Sequence, residues 1–232
     1  ASNSTSRNSA TPSPRNCPIG THGALHYDRP MTRMLVYYAH TRHKHSHVKR
    51  YIARAAARVP DSDQVYLYRD DPRFDIDVDV EQERLLGHDV ILFQFPLFWY
   101  STPSLLKEWE DLVLEHGFAY GSGGDQLSGK RMMLAVTAAG PTEAYTAKGY
   151  QHYPLRTFLT PLEQTARLCN MHFPAPYVLH SSLKAPDDGR AERHVEGYRA
   201  LLEAIRDDRY DFDAAMSRDV VTYDTLPIRG EA

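Results

Sequence analysis

The chain has 232 residues, a formal net charge of −3, 42% hydrophobic residues and 25% charged residues. These values are ordinary for one globular domain with a substantial core, and the charge gives no support to nucleic-acid binding. The two cysteines, Cys17 and Cys169, indicate neither a disulfide framework nor a thiolate metal site. No apolar run approaches the roughly 20 residues that span a bilayer, and the first residues do not resemble a secretory signal. We therefore expect a cytoplasmic protein.

Composition divides the chain into three parts. Residues 1–31 are rich in Ser, Asn, Thr, Pro and Gly, and such a segment buries too little apolar surface to offset the entropy lost on ordering. We expect a disordered N-terminal extension over 1–31, a folded domain over 32–210, and a C-terminal tail over 211–232, where no hydrophobic period is visible.

Strand and helix patterns alternate along the folded part. Short apolar runs predict strands at 34–38, 65–68, 90–95, 132–136 and 177–179. Helical periodicity predicts helices at 48–59, 80–86, 103–113, 155–169 and 191–205. Pro103 suits the first turn of its helix, with Ser101 and Thr102 as candidate caps. The alternation predicts an α/β fold: a doubly wound parallel sheet with helices on both faces, whose ligands bind beyond the carboxyl ends of the strands.

The loop after the first strand, residues 39–47, is rich in histidine and contains Ser46, the expected N-cap of the next helix. A helix N-terminus presents unpaired N–H groups and a partial positive charge, which suit a phosphate. Arg42 and Lys44 add positive charge nearby. A solvated polar loop is an equal alternative. A divalent metal site is disfavoured, because no carboxylate or cysteine lies among the histidines.

The third strand continues into an aromatic loop, in which Phe98, Trp99 and Tyr100 follow Pro96 and Leu97. Three successive bulky rings at the end of a buried strand favour packing against something flat. We interpret this loop as one wall of a site for a planar heterocycle. The alternative is packing against the following helix or against a partner subunit.

The fourth strand ends in small residues: Thr137, Ala138, Ala139 and Gly140. Small residues let a ligand approach the backbone, whose N–H groups can donate to carbonyl oxygens or ring nitrogens. Tyr145 and His152 follow, and both can donate a hydrogen bond or transfer a proton. A plain connecting loop is the alternative. Together the three loops describe a pocket for flavin mononucleotide, in which the protein positions the flavin and the flavin carries the hydride chemistry.

An ordered set of segments connects the sequence with a known family. The segments are Ala39-His40-Thr41 with Ser46, Pro96-Leu-Phe-Trp-Tyr-Ser101, Gly117-Phe-Ala-Tyr-Gly121 with Gly124, Leu127-Ser-Gly-Lys130, and residues 161–166 with Cys169 and Pro176. In these the sequence resembles the NAD(P)H:quinone oxidoreductase family of flavodoxin-like proteins. Within that family it is similar to the bacterial ancillary flavoproteins of glutathione-regulated potassium-efflux systems. It departs from the family pattern at Thr41, at Val48 and Lys49, and at Ala138 and Ala139.

The resemblance implies a flavodoxin-like sheet of strand order 2-1-3-4-5, an FMN or FAD cofactor, NAD(P)H as co-substrate and a homodimer with its active site near the subunit boundary. By position it assigns the phosphate side to His40, Ser46, His47, Val48 and Lys49. It assigns the flavin ring to Pro96, Leu97, Phe98, Trp99 and Tyr100, and the polar edge of the ring to Thr137, Ala138, Ala139 and Gly140. It places Tyr145 in the acceptor pocket, with His152 as a second catalytic candidate.

Two functions from different classes follow. The first is a flavin-dependent enzyme that passes hydride from NAD(P)H to a quinone. The second is a regulatory subunit that binds a potassium-efflux transporter, which would bring the protein to the inner face of the cell membrane. An electron-carrying flavodoxin fits less well, since those proteins are typically shorter and strongly acidic.

Overall fold

Five parallel strands form one sheet in the computed structural model, which describes residues 32–41, 59–60 and 62–230. The strands are β1 (Met34–Tyr38), β2 (Ser62–Tyr66), β3 (Val90–Pro96), β4 (Arg131–Thr137) and β5 (Tyr177–Leu179). Their order is β2-β1-β3-β4-β5. This arrangement confirms the predicted flavodoxin-like sheet, and all strands except β2 lie within one residue of their predicted bounds.

β2 is displaced from its prediction. The apolar run 65–68 predicts the strand, but β2 ends at Tyr66, and Leu67–Asp70 forms a helical turn, α1. β2 lies at the edge of the described sheet, so its polar first half does not need the two-sided burial that produces an apolar run. The Asp70 carboxylate accepts a hydrogen bond from the Tyr66 N–H at 2.9 Å, and this contact holds the turn that ends the strand.

Helices cover both faces of the sheet. They are α2 (Val78–Leu86), α3 (Ser104–Val113), α4 (Thr160–Leu168), α5 (Arg190–Arg206) and α6 (Phe212–Met216). Successive strand residues point to opposite faces. Tyr37 and Phe93 therefore pack with Trp109 of α3 in one buried layer, and Val36 packs with Leu201 of α5 in the other. The predicted placement of helices on both faces is confirmed.

The start of α3 differs from its prediction. Pro103 has the extended backbone of an N-cap residue (ψ 147°) and precedes the first helical turn, and no side chain caps the helix. Ser101 and Thr102 are therefore not its caps. Instead, the Tyr68 hydroxyl accepts a hydrogen bond from the Leu105 N–H at 3.1 Å. A side chain distant in sequence thus takes the place of the local cap that the sequence pattern predicts.

The segment predicted as one helix over 155–169 divides in two. Leu155–Leu159 is a 3₁₀ helix, and α4 begins at Thr160. Pro161 lies in the first turn of α4 and has no N–H to donate to the preceding turn, so a continuous helix would be interrupted at this point.

The chain after Tyr210 is more ordered than its sequence pattern indicates. Asp211 accepts a hydrogen bond from the Ala214 N–H at 3.0 Å and caps α6. Further on, Val221 forms a parallel bridge with Tyr177 and is fully buried. This segment covers the outer edge of β5, which would otherwise expose unpaired backbone groups. Its elements are too short to produce a visible hydrophobic period.

Two predictions fall outside the described residues: the N-terminal extension over 1–31 and nearly all of the helix over 48–59. Among the residues that the structure does describe, none of the helices has the length and apolar character needed to cross a membrane.

Candidate functional site

The starts of the three predicted loops lie side by side at the carboxyl edge of the sheet. The Ala39 N–H donates to the Gln94 carbonyl at 3.0 Å, and the Leu97 N–H donates to the Thr137 carbonyl at 2.9 Å. The Ala138 N–H in turn donates to the Leu179 carbonyl at 2.9 Å. The parallel register therefore brings together the segments that the sequence places far apart.

The first loop is described only at its beginning. The His40 ring, which is partly buried, approaches the Phe98 ring edge-on at a centroid distance of 5.8 Å. His40 thus lies against the aromatic loop, as a shared pocket requires. Ser46, His47, Val48 and Lys49 lie outside the described residues, so their assignment to a phosphate stays a prediction.

The aromatic loop makes a tight reversal at Trp99 and Tyr100. Phe98 and Ser101 exchange two backbone hydrogen bonds, at 3.1 and 2.9 Å. The two residues between them have positive φ angles, 46° at Trp99 and 66° at Tyr100. A two-residue turn of this geometry favours glycine or asparagine, and a bulky residue held there costs on the order of 1–3 kcal/mol. Such strain is typical of functional sites, and the aromatic sequence gives no sign of the turn.

Two further aromatic residues extend the wall of this loop. The Phe158 ring lies 4.9 Å from the Tyr100 ring and 6.2 Å from the Tyr145 ring. The Tyr153 ring lies 6.1 Å from Phe158 on another side. Phe158 therefore connects the aromatic loop with the predicted acceptor residue. Sequence reasoning missed both residues, because Phe158 falls within the helix predicted over 155–169 and Tyr153 belongs to no motif singled out in the sequence.

The small-residue loop is held by its carbonyl groups. The Ala138 carbonyl accepts from the Ser182 N–H and the Gly140 carbonyl accepts from the Ser181 N–H, both at 2.9 Å. Within the described part of the chain, the N–H of the exposed Ala139 donates to no other group. The loop is thus fixed with a donor still available, which is what a carbonyl oxygen or ring nitrogen of a ligand requires.

Gly140 is enclosed by two tyrosines. A Cβ atom at this position would lie 3.0 Å from the Tyr150 Oη and 3.1 Å from the Tyr145 Cε2. These separations are tighter than nearly all real contacts of this kind, so the glycine allows the two rings to approach the backbone. A larger residue here would require one of the two tyrosine side chains to move by a few tenths of an ångström.

Tyr145 lies within the site. Its side chain is 8% exposed, and burial raises the pKa of the phenol, an effect that the Gly140 backbone partly opposes. The phenol therefore keeps its proton at neutral pH and can donate a hydrogen bond.

His152 is placed differently. It is exposed, with a φ of 63°. Among the described residues the rings in contact with Tyr145 belong to Phe158 and His180, and His152 is not one of them. His180 was not a predicted site residue, since a single histidine after the fifth strand carries no distinctive signal.

A cavity of about 350 Å³ adjoins the aromatic wall through Phe158. Glu110 and Cys169 also line it. The Glu110 Oε1 is buried and has no hydrogen-bond partner among the described residues. Burial raises the pKa of this carboxyl to about 7, although Lys107 opposes the shift.

A metal site is a separate question. Within the ranges that the structure describes, no three His, Cys, Asp or Glu side chains are grouped closely enough to hold a metal ion. Residues 42–50, which include three of the histidines in the first loop, lie outside those ranges.

Comparisons with known proteins agree with the fold. Residues 32–202 match the family model described as the flavodoxin-like fold. The glutathione-regulated potassium-efflux system ancillary protein KefG of Cronobacter sakazakii is 43% identical over 148 residues, which are 64% of this chain and 80% of that protein.

Two solved structures extend the comparison. General stress protein 14 of Treponema denticola in complex with FMN is 35% identical with a TM-score of 0.70, and the match covers 75% of this chain and 99% of that one. An NADPH-quinone reductase from P. pentosaceus is 25% identical with a TM-score of 0.65, and the match covers 74% of this chain and 98% of that one.

Proposed function

Because the chain belongs to the flavodoxin-like family, we propose that it is an FMN-dependent oxidoreductase that passes hydride from NAD(P)H to a quinone. The observation that carries this proposal is the meeting of an aromatic wall and a small-residue loop at the carboxyl edge of the sheet. One relative of similar fold was solved in complex with FMN, and another is an NADPH-quinone reductase.

The residues present fit a flavin. Among the described residues the Ala139 N–H has no acceptor, so it can donate to the polar edge of the ring. Gly140, which has no Cβ, lets the Tyr145 and Tyr150 side chains come close to this edge. Residues 96–100 would line the ring, and His40 with residues 46–49 would hold the phosphate. When bound, FMN supplies the ring that accepts and donates hydride. FAD would occupy the same ring site.

Tyr145 performs the protein's share of the chemistry at the acceptor. Its phenol keeps its proton at neutral pH because burial raises its pKa, so the Oη can donate a hydrogen bond to a quinone oxygen as that oxygen gains negative charge. Phe158 packs beside it, and Tyr100 packs against Phe158, so the two rings would exclude water from one side of the site. His152, on its exposed turn, would act at the mouth of the site.

Steady-state kinetics test the enzyme. Protein loaded with FMN should oxidise NADH or NADPH with menadione or benzoquinone, and initial-rate plots should show the parallel lines of a two-step mechanism. Tyr145→Phe removes the donor and should lower kcat/KM for the quinone by about a hundredfold. Tyr210→Phe, a change beside Phe212 and Arg131 at the start of β4 and so at the opposite end of the sheet, should leave kcat/KM unchanged. Flavin-loaded protein that turns over none of these quinones would contradict the proposal.

We also propose that the chain forms a homodimer. A homodimer would place a second copy near the exposed aromatic turn, where the Trp99 side chain is 93% exposed. Light scattering on purified protein should then give twice the mass of one chain, and a monomer at micromolar concentration would contradict this assignment.

A second function is favoured by the 43% identity to KefG, an ancillary protein of a potassium-efflux system. In this role the protein would be cytoplasmic and would bind a potassium-efflux transporter at the inner face of the membrane. Co-sedimentation with membranes that contain such a transporter tests it. The Tyr145→Phe protein should still bind if contact alone matters, whereas equal sedimentation with transporter-free membranes would exclude this role.

A further inference from the structure

The ring of His180 packs against the ring of Tyr145, with centroids 5.4 Å apart and planes inclined by 53°. His180 directly follows β5. The register pairs Thr137 with Leu179, so His180 lies beside Ala138 at the edge of the sheet where the small-residue loop begins. The imidazole therefore lies next to the small-residue loop and in contact with Tyr145.

The backbone around His180 is fixed on two sides. Arg190 Nη1 donates to the His180 carbonyl at 2.8 Å, and Asp188 holds the same guanidinium through an ion pair of 2.8 Å. The next residue, Ser181, donates its N–H to the Gly140 carbonyl. The position of His180 is thus tied to the very loop over which the Tyr145 ring packs.

The His180 side chain has an unused polar atom. Its Nδ1 is buried and has no hydrogen-bond partner in the described part of the chain. Burial lowers the pKa of the imidazole below its ordinary value of 6.5. Among the groups that face it, Glu143 and the Gly140 backbone oppose this shift and Arg190 adds to it. The imidazole is neutral at neutral pH.

We propose that His180 is the positioning residue of Tyr145: the neutral imidazole holds the phenol over Gly140, and protonation of the imidazole weakens that contact. The assignment rests on the proposed function of the site, in which Tyr145 donates to the acceptor. It gives His180, rather than His152, the histidine role beside this tyrosine. Acidification then becomes a means of regulating the site.

The direction of the pH effect follows from the lowered pKa. A histidine whose pKa is lower in the folded than in the unfolded state stabilises the fold above its unfolded pKa. That stabilisation is lost as the pH falls through 6.5 towards the folded value. A charged imidazole must regain solvent or a partner for its Nδ1, so the ring contact with Tyr145 weakens on the acid side of neutrality.

The ¹³C NMR signal of Tyr145 tests the coupling between His180 and Tyr145 without enzyme turnover. The FMN-loaded protein is prepared with ¹³C at the tyrosine Cζ, and Tyr145 is assigned from the signal absent in Tyr145→Phe. In the wild type this signal should shift with a midpoint below pH 6.5. The shift should disappear in His180→Gln and persist in His152→Gln. A Tyr145 signal that does not respond to acid, or a response that depends on His152, overturns the proposal.

Kinetics separate two effects of His180: the packing of its ring against Tyr145 and the protonation of its imidazole. His180→Phe keeps a ring against Tyr145 and should retain kcat/KM for the quinone near the wild-type value at neutral pH, but without the decline that the wild type shows at acid pH. His180→Gln lacks the ring and should lose about tenfold in kcat/KM. An acid decline that survives in His180→Phe overturns the proposal. Absence of quinone turnover in the wild type would refute the proposed function and leave the NMR result to decide on the His180–Tyr145 coupling.

Discussion

The carboxyl groups of the buried Glu81 and the partly buried Glu110 differ in how they are satisfied. The Glu81 carboxylate accepts hydrogen bonds from the Tyr37 hydroxyl at 2.6 Å and the Trp109 Nε1 at 2.9 Å, and Arg84 pairs with its other oxygen. The Glu110 Oε1 has no hydrogen-bond partner among the described residues. Glu81 therefore belongs to the framework, whereas Glu110 lies unsatisfied in the cavity next to the aromatic wall.

Within the described part of the chain, the surroundings of Glu81 contain no unfavourable feature of this kind, whereas two such features lie near the proposed site. Around Glu81 each donor has an acceptor, as buried polar networks require. Near the proposed site, Phe158 packs against Tyr100 of the strained turn and lines the cavity that Glu110 also lines. Proteins often break local rules at functional sites, and these two features agree with a site here. They do not locate it by themselves, because buried atoms without a partner among the described residues also occur at Tyr38 of β1 and at His194 and Tyr198 of α5.

The largest expected effect comes from removing the satisfied carboxylate. Glu81→Leu leaves the buried Tyr37 hydroxyl, the Trp109 N–H and the Arg84 charge without their acceptor, and it should lower the free energy of unfolding by about 3–5 kcal/mol. Glu81→Gln, which keeps one acceptor oxygen, should lower it less. Urea unfolding measures both. The same substitution at the exposed Glu83 of α2 serves as control, and equal losses at the two positions would refute the framework role of Glu81.

Glu110→Gln should change the free energy of unfolding by an intermediate amount that depends on pH. The folded pKa of about 7 lies above the ordinary 4.5, so the favourable contribution of the protonated carboxyl is complete below 4.5 and is lost as the pH rises through 7. Above that value the wild type should be about 3 kcal/mol less stable than at low pH on account of this group. The variant, which cannot ionise, should lack this decline.

Urea unfolding at a series of pH values decides the matter for Glu110. Glu108→Gln, on the exposed side of the same helix, controls for the loss of a surface charge and should retain the wild-type pH dependence. If Glu110→Gln declines with rising pH as steeply as the wild type, Glu110 is not the group responsible.

Differences in burial also explain which parts of the fold and the site the sequence predicts. β1, β3, β4 and β5 are buried on both faces and leave continuous apolar runs, so their bounds are readable. β2 is an edge strand with a polar first half, and its bounds depend on the Asp70 side chain. The turn at Trp99 and Tyr100 is invisible because neither residue is glycine or asparagine. His180 becomes a candidate only when the register places it beside Ala138.

The smallest expected effect lies in the strained turn. Trp99 has a φ of 46° and a side chain that is 93% exposed, so its replacement removes little packing. Glycine adopts this backbone without a steric penalty, whereas alanine does not. Trp99→Gly should therefore exceed Trp99→Ala in free energy of unfolding by about 1 kcal/mol. Thermal unfolding of the flavin-free proteins measures the difference.

Flavin affinity then tells whether the strain serves the site. If Trp99 lines the flavin ring, both variants should bind FMN more weakly than the wild type in a fluorescence titration, although one of them is the more stable protein. If the glycine variant is the more stable of the two and still binds FMN more weakly than the wild type, the loss of affinity comes from the missing indole and not from an unstable turn. Unchanged FMN affinity in both variants would instead mean that the exposed indole serves a different partner, and it would remove Trp99 from the proposed pocket.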